Sequence, residues 1–339
     1  MNRIFDLINF RNMFLFWIFL LALAIIINII KGGRTKGKAK DLVKDNDFIL
    51  EKKGRIVEKM NNDSEAMKSA KNNTILSIVL LIICIILSFA INKAIISFII
   101  CGVSFVIFAI NISKYNSISS EKYEETVKEI LHQYDENLVY NPRLGFTWEE
   151  YKKCLFPERC DRFSSEDMIY NEKNSFYYSD ILVESEYEDD DGDTHYTTEF
   201  AGSIASVNIK NINCNIFLGS IGSRIIFRND SYEKIKFEND DFNKLFGAYT
   251  DNELLAYKLL TPDVMEEFVN IKNNTYGDIY IRILNDKLYI RFNSGDTFDN
   301  VLFSNKAQQE ALFKSIAVLE EVMKTMEKVK KIIENKNID

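Results

Sequence analysis

Histidine is scarce in this chain, with two copies in 339 residues, and cysteine occurs five times. His132 lies in a predicted helix and His195 in an acidic loop, so neither is placed to act as the base of a cysteine nucleophile. The cysteines of the polar region, Cys154, Cys160 and Cys214, are odd in number and irregularly spaced. We interpret them as reduced thiols, because disulfide frameworks use paired cysteines and structural zinc sites use pairs about two to four residues apart.

Sequence motifs of catalysis are also lacking. Gly219 and Gly222 do not stand in a phosphate-binding loop pattern, and we interpret them as turns at strand ends. The sequence singles out no pair among its 50 acidic residues as a general acid and base. We therefore expect no catalytic residue, no cofactor and no metal, and an enzyme is the weakest of three classes of function.

Long apolar segments are what the chain has in abundance, and three of them precede residue 113. They cover residues 13–30, 74–91 and 94–112, which are 18, 18 and 19 residues long. A transmembrane helix needs roughly 20 apolar residues to cross about 30 Å of hydrocarbon. We predict a retained anchor from the first segment, which lacks a cleavage site. The other two predict a helical hairpin, because only Asn92 and Lys93 separate them.

Lysine and arginine collect on one side of these spans. Residues 31–73 contain twelve of them, whereas the N-terminal tail contains Arg3 and Arg11 and the hairpin turn contains Lys93. Because short cationic loops stay on the cytoplasmic side, we predict a multi-pass protein of the inner or plasma membrane. Its large C-terminal domain would then be cytoplasmic.

Charge also separates the basic loop from the polar remainder. Residues 113–339 carry 27 basic and 42 acidic side chains, which disfavours nucleic acid as a partner. Residues 31–73 are drawn to anionic headgroups, or they are a plain connector whose lysines only determine topology. The residues predicted to contact anionic lipid are Lys31, Arg34, Lys36, Lys38 and Lys40.

Small polar residues share one side of each hairpin helix. We interpret them as the packing face of the hairpin, with a pore lining as the alternative, because small side chains let helices approach closely. The residues are Ser77, Cys84, Ser88, Ser97, Cys101 and Ser104. Neither helix contains an ionisable residue that would mark an ion path.

Beyond residue 113 the apolar pattern alternates between helical and strand periods. Alternating residues predict an antiparallel sheet with one face in water. Strands are predicted at residues 177–184, 205–210, 215–221, 224–227, 279–283 and 288–292, and helices at 120–138, 240–260, 263–272 and 305–333. We expect the last helix to cover the sheet rather than to form a coiled coil with another helix. The alternative is a half-open barrel that the last helix closes.

The segment at residues 184–193 has seven carboxylates in ten residues. It does not fit an EF-hand cage, because Tyr187 and Thr198 would occupy ligand positions that require carboxylates. We interpret it as a solvated hairpin tip, with a calcium ion or a basic partner as the alternative.

Two stretches of the polar region carry a family resemblance. LFPERCDRFSSEDMIY at residues 155–170 and KIKFENDDFNKLFGAYTDNELLAYKLLTPDVMEEFVNI at residues 234–271 resemble the bacterial family called domain of unknown function 3137. The resemblance covers about residues 119–298. It implies a pair of transmembrane helices before a cytoplasmic domain, and it implies no activity, so no functional residues are carried over.

The sequence thus predicts an α+β protein with four regions. These are an N-terminal tail and transmembrane helix (residues 1–30), a basic cytoplasmic loop (31–73), a transmembrane helical hairpin (74–112) and a cytosolic antiparallel β-sheet domain covered by helices (113–339). We predict a membrane-anchored binding, scaffolding or sensing module. The alternative is an oligomeric membrane effector or channel-like subunit. The bilayer, anionic lipid headgroups and a protein partner are the predicted contacts.

Overall fold

The structure is a computed structural model of the chain. It describes residues 47–62, 65–90, 94–154, 156, 158–210, 212, 214–222, 232–275, 277–293, 298 and 305–335, apart from a few side chains within the helices. Several predictions therefore lie outside the described residues. They concern the span at residues 13–30, Lys31, Arg34, Lys36, Lys38, Lys40, Asn92, Lys93 and the strand at residues 224–227.

The described elements alternate helices and strands after an all-helical beginning. The helices are α1 (Asp47–Asn61), α2 (Glu65–Ala90), α3 (Ala94–Tyr134), α4 (Trp148–Lys153), α5 (Asp240–Leu245), α6 (Glu253–Leu259), α7 (Pro262–Asn274) and α8 (Asn305–Glu334). The strands are β1 (Val139–Asn141), β2 (Arg162–Asn171), β3 (Phe176–Glu188), β4 (Thr194–Asn208), β5 (Ile216–Ser220), β6 (Glu233–Ile235), β7 (Phe246–Thr250), β8 (Ile279–Leu284) and β9 (Lys287–Phe292).

The chain divides into two compact units. The first comprises Met1–Thr35, Gly54–Thr126 and Asn300–Gln309, and the second comprises Lys36–Lys53, Val127–Asp299 and Glu310–Asp339. In the first unit, α2 and α3 pack through an apolar cluster that includes Leu81, Ile85, Cys101 and Phe108. Stretches of both helices, Glu65–Leu87 and Ile99–Tyr134, are long and apolar enough to cross a membrane.

Helix α3 is longer than the sequence predicts. The apolar span at residues 94–112 and the helix at residues 120–138 are predicted as separate elements, whereas the structure has one helix of 41 residues. No proline occurs in α3, and its one glycine is Gly102. Because proline and glycine are the residues that most often interrupt helices, the chain continues without a break until Tyr134.

The second unit is built on one large sheet. The nine described strands have the order β1-β2-β3-β4-β9-β8-β5-β7-β6, and each neighbouring pair is antiparallel. The α+β class with an antiparallel sheet is confirmed. The two ends of the order, β1 and β6, do not pair with each other, so the described strands do not form a closed barrel, and the half-open barrel stays a prediction. Both end strands are three residues long.

Opposite faces of the sheet differ in chemistry. One row of paired residues consists of Tyr178, Ala205, Ile290, Ile281, Leu218 and Ala248, and we call this side the apolar face. The next row consists of Ile204, Arg291, Tyr280, Gly219 and Gly247, and we call that side the arginine face. The predicted wet face is wrong in this part of the sheet, because Arg282 and Arg291 are fully buried.

A single helix over residues 240–260 is predicted from the sequence, and this prediction is wrong. The segment forms α5, β7 and α6, with β7 paired to both β5 and β6. The Asn239 side chain caps α5 and the Asn252 side chain caps α6, so each short helix has its own start signal. Gly219 was interpreted as a turn and instead lies inside β5 opposite Gly247.

Two predicted elements have the expected form. The β8–β9 hairpin turns at Asn285 and Asp286, which both have positive φ (51° and 58°), as the tightest hairpin turns require. Helix α8 begins at Asn305 and ends at Glu334. Its residues Met323 and Met326 line a pocket together with Phe176 of β3 and Val207 of β4, so this helix lies over the apolar face.

Candidate functional site

The six residues predicted to form a packing face belong to α2 and α3. Ser77, Cys84, Cys101 and Ser104 are buried. The Ser77 and Ser104 hydroxyls donate to carbonyls one turn earlier in their own helices, at 2.8 and 2.9 Å. The Cys101 thiol lies 3.7 Å from the carbonyl oxygen of Cys84, which joins the two helices. The side chains of Ser88 and Ser97 lie outside the described part of the structure.

The acidic segment forms the tip of the β3–β4 hairpin. The Asp189 carboxylate accepts hydrogen bonds from the backbone N–H groups of Asp191 and Asp193, at 3.1 and 2.9 Å. A hydrogen bond of 2.6 Å with the His195 ring is the main cause of a lowered pKa of Asp189. Among the residues that the structure describes, no cluster of His, Cys, Asp or Glu is arranged to hold a metal ion.

The described cysteines are all free thiols. Cys154 is fully buried, and desolvation raises the pKa of its thiol to about 12, so the reactive thiolate is suppressed. Cys214 is also buried, and its sulfur lies 3.4 Å from the Thr250 hydroxyl. Neither environment is that of an activated nucleophile.

A pocket of about 360 Å³ opens between the last helix, the end of α3 and the sheet. We call it the Tyr134 pocket. Its apolar wall consists of Phe176, Val207, Met323 and Met326, and its polar rim consists of Tyr134, Asp135, Asn174, Lys324, Glu327, Lys330, Lys331 and Glu334. An apolar wall with a few polar groups is the usual composition of a small-molecule site.

The polar rim is held in place by neighbouring charges. Lys324 pairs with Glu320 at 2.6 Å, and Lys331 pairs with Glu327 at 2.7 Å. Asp135 accepts a hydrogen bond of 2.8 Å from the Asn171 side chain. This pocket is not visible in the sequence, because its residues come from parts of the chain that are separated by up to about 200 positions.

The arginine face carries a second cluster of buried polar groups. We call it the arginine cluster, and it comprises Tyr151, Phe156, Glu158, Phe200, Tyr280 and Arg291. The Glu158 carboxylate engages both terminal nitrogens of Arg291, and the Tyr151 hydroxyl accepts from Arg291 and donates to Glu158. The Arg291 side chain is 0% exposed and the Glu158 side chain is 2% exposed.

Aromatic rings enclose the guanidinium of Arg291. Its central carbon lies 4.0 Å from the ring centre of Phe156, 4.1 Å from that of Phe200 and 4.8 Å from that of Tyr280. These distances are within cation–π range. On the neighbouring strand, Arg282 donates a hydrogen bond of 2.7 Å to the Tyr232 hydroxyl.

Glu158 and Arg291 both stay charged, because each stabilises the charge of the other. Burial alone would raise the pKa of Glu158, but the charge and hydrogen bonds of Arg291 outweigh burial and lower that pKa. Burial opposes the charge on Arg291 too, and Tyr151 and Glu158 overcome it and raise the pKa of the guanidinium. Tyr151 keeps its proton, because burial raises the pKa of its phenol well above the ordinary value.

Comparison with known proteins finds a family match in part of this chain. Residues 198–337 match the family described as "Protein of unknown function (DUF3137)". The predicted family resemblance is confirmed. The match includes the motif at residues 234–271, most of β4, β5 to β9 and α8, and it does not include the other motif, at residues 155–170.

One solved structure resembles the chain weakly. It is the crystal structure of the mycobacterial trehalose monomycolate transport factor A, TtfA, with 10% sequence identity and a TM-score of 0.35. The similarity covers 60% of this chain and 92% of that chain. A TM-score this low supports no statement about a shared fold or ligand. None of the curated proteins matches the sequence.

Proposed function

We propose that the chain is a membrane-anchored binding module that holds a small amphipathic ligand in the Tyr134 pocket. The observation that carries this proposal is the composition of the pocket, an apolar wall of four side chains beneath a rim of charged ones. Its volume of about 360 Å³ lies at the lower end of the range of ligand sites, about 300 to 1,000 Å³. The ligand would therefore be small.

The pocket wall is suited to ligands of variable shape. Met323 and Met326 contribute flexible, polarisable side chains, which adapt to different apolar surfaces. Lysine and glutamate are both present on the rim, so the polar end of the ligand would meet charges of either sign. A small molecule with one apolar part and one polar part would match both the wall and the rim.

Helix α3 gives the proposed module a route for sensing. The helix that contains the apolar stretch beginning at Ile99 also supplies Tyr134 to the pocket. A ligand that contacts Tyr134 would act directly on the end of this helix. We propose that binding is reported through α3 to the membrane, or from the membrane to the pocket.

Membrane topology is part of the same proposal. The cationic residues between Lys31 and Lys40 support contact with anionic lipid, and the acidic balance of residues 113–339 supports a domain held away from headgroups. We propose three spans with the large unit in the cytoplasm. A C-terminal phosphatase fusion should therefore be inactive in cells, and an active fusion would contradict the orientation.

The alternative of a channel-like subunit gains less support. Ser77 and Ser104 donate their hydroxyl protons within their own helices, and Cys101 faces Cys84 across the helix pair. Contacts of this kind favour packing between the two helices over a pore lining. Within the described spans, they support a packing role for the small polar residues.

A variant whose side chain fills the Tyr134 pocket tests whether the pocket holds the ligand. Met323→Trp adds a large ring to the apolar wall, whereas Glu310→Trp adds the same ring to an exposed position of the same helix. Full-length wild type and both variants are purified in identical lipid nanodiscs. Small molecules released on denaturation are then quantified by mass spectrometry.

We expect one set of amphipathic compounds to remain bound to wild type and to Glu310→Trp. Met323→Trp should retain at least about tenfold less of it, because the ring occupies the space of the ligand. Equal retention by all three proteins would overturn the pocket as the ligand site. Circular dichroism of each variant controls for folding.

A further inference from the structure

The arginine cluster has the chemistry of a binding site that is already filled. A guanidinium presents a planar fork of donors that matches an oxyanion with two or three oxygens. In this structure the fork of Arg291 engages a carboxylate of the same chain, that of Glu158, through both terminal nitrogens. This site is separate from the Tyr134 pocket and does not depend on its function.

The floor of the site is supplied by the sheet alone. Arg291 comes from β9, Tyr280 from β8 and Phe200 from β4, and the rings of Phe200 and Tyr280 lie against the guanidinium. Tyr280 and Arg291 are directly paired across β8 and β9, and Phe200 is paired with Val183 of β3, so regular strands position the floor independently of the residues that cover it.

The cover, by contrast, has little regular structure. It consists of Phe156 and Glu158, which follow the short helix α4 and precede β2. The Glu158 carboxylate is buried, but the residue as a whole is partly exposed. Arg291 is therefore covered by a residue that itself reaches the surface. Movement of this side chain away from Arg291 would free both terminal nitrogens of the guanidinium for another oxyanion.

One donor of the fork remains available. Within the described part of the chain, the Nε atom of Arg291 is buried and makes no hydrogen bond. A carboxylate of the chain thus leaves part of the guanidinium unsatisfied, whereas a ligand with a third oxygen can reach that donor. Buried polar groups without a partner are uncommon in proteins and call for an explanation.

We propose that Glu158 is an internal occupant of an oxyanion site on Arg291 and that an external oxyanion with a flat apolar group displaces it. The class of ligand is a carboxylate or a phosphate attached to an aromatic or similarly flat group. The fork binds the oxygens, and the rings of Phe200 and Tyr280 contact the apolar part. Glu158 competes with the ligand and so lowers its apparent affinity.

Benzoate and phenyl phosphate are suitable probes, because they differ only in the oxyanion. Their affinity is measured by titration calorimetry with the full-length protein and with Glu158→Ala. Glu149→Ala is the matched control, since Glu149 is exposed and lies on the adjoining helix α4. The double variant Glu158→Ala/Arg291→Met removes the fork without leaving a buried carboxylate unpaired.

We expect Glu158→Ala to bind at least one probe about tenfold or more tightly than wild type, because the internal competitor is gone. Glu149→Ala should match wild type, and the double variant should lose the gain. Tighter binding of phenyl phosphate indicates a phosphate ligand, and tighter binding of benzoate indicates a carboxylate. Equal affinities in Glu158→Ala and in the double variant would overturn the proposal.

Labelling of two buried thiols distinguishes local opening at the arginine cluster from unfolding of the whole domain. Cys154 belongs to the apolar cluster around Tyr151, whereas Cys214 lies beside Thr250. In Glu158→Ala, site-resolved thiol labelling should accelerate at Cys154 and not at Cys214. If both thiols react equally fast in Glu158→Ala and in Glu158→Gln, the carboxylate is required for the fold and cannot be a displaceable occupant.

Discussion

The two faces of the sheet bury different kinds of side chain. The apolar face presents Ile281, Ile290 and Leu218, and all three are fully buried. The arginine face presents Arg282 and Arg291, which are equally buried. Apolar side chains gain free energy when they leave water, whereas a buried charge must recover its lost hydration from partners.

The two faces of the sheet therefore contribute differently to the stability of the fold and to its chemical specificity. On the apolar face, many side chains of similar shape could replace one another at modest cost. On the arginine face, only an oxyanion at the right distance neutralises the Arg291 guanidinium, and the rings around it must leave a gap of the right width. The apolar face therefore holds the fold together, and the arginine face contains the chemically selective groups.

Removal of one member of the ion pair should have the largest effect. Arg291→Met leaves the Glu158 carboxylate buried without its cation, so we expect a loss of about 3 to 5 kcal/mol in the free energy of unfolding. Chemical denaturation followed by circular dichroism measures this loss. The double variant Arg291→Met/Glu158→Met should recover most of it, because no charge remains buried. Equal losses in the single and double variants would show that the pairing itself is unimportant.

A cavity on the apolar face should cost somewhat less. Ile281→Ala removes a fully buried side chain at the centre of β8, and we expect a loss of about 2 to 5 kcal/mol. The comparison sharpens if Ile281→Val is measured beside it, since that change removes a single methylene group and should cost only about 0.5 to 1.5 kcal/mol. A larger effect of the valine variant would mean that shape, not buried area, dominates this face.

The faces should also differ in their response to acid. The folded-state pKa of Glu158 lies below its ordinary value of 4.5, so its ion pair contributes full stability above that pH. The contribution is lost as the pH falls through the folded-state pKa. We expect the stability difference between wild type and Glu158→Gln to shrink below about pH 4.5. Denaturation midpoints between pH 3 and pH 7 provide the measurement, and a constant difference would contradict the ion pair.

The smallest effect is expected at the helix that precedes the cover. Thr147 caps α4, and its side chain and that of Glu150 bond reciprocally to each other's backbone N–H groups. Thr147→Ala should lower stability by about 1 kcal/mol, because it leaves a helix-terminal N–H group without its acceptor. Hydrogen exchange should quicken in α4 but not in β8. An unchanged exchange rate in α4 would indicate that packing of Tyr151, not the cap, maintains the helix.

The sequence predicted best where local patterns and tertiary contacts agree. The β8–β9 hairpin was predicted because its alternation and its Asn285-Asp286 turn are local signals, and the structure has both. The segment around β7 was predicted as helix because it has helical spacing, but pairing with β5 and β6 overrides that spacing. The sheet neighbours of a strand are not visible in its own residues.

The arginine cluster was missed for a related reason. In IYIRIL and KLYIRF the arginines alternate with apolar residues, which is the usual pattern of a strand with one face in water. The carboxylate that neutralises Arg291 lies 133 positions earlier in the chain. The local sequence of Arg291 shows only that Tyr289 and Phe292 lie within two positions of it, and this pattern indicates a site only when the position of Glu158 is known.

The short strands at both ends of the sheet limit aggregation between copies of the protein. A wide antiparallel sheet exposes two borders at which a foreign strand could add by hydrogen bonding, and long borders promote fibrous aggregation. Here β1 and β6 terminate the described strand order with three residues each, so an intruding chain would find few backbone groups in line. Neighbouring copies would therefore find little strand edge at which to join into a continuous cross-molecular sheet.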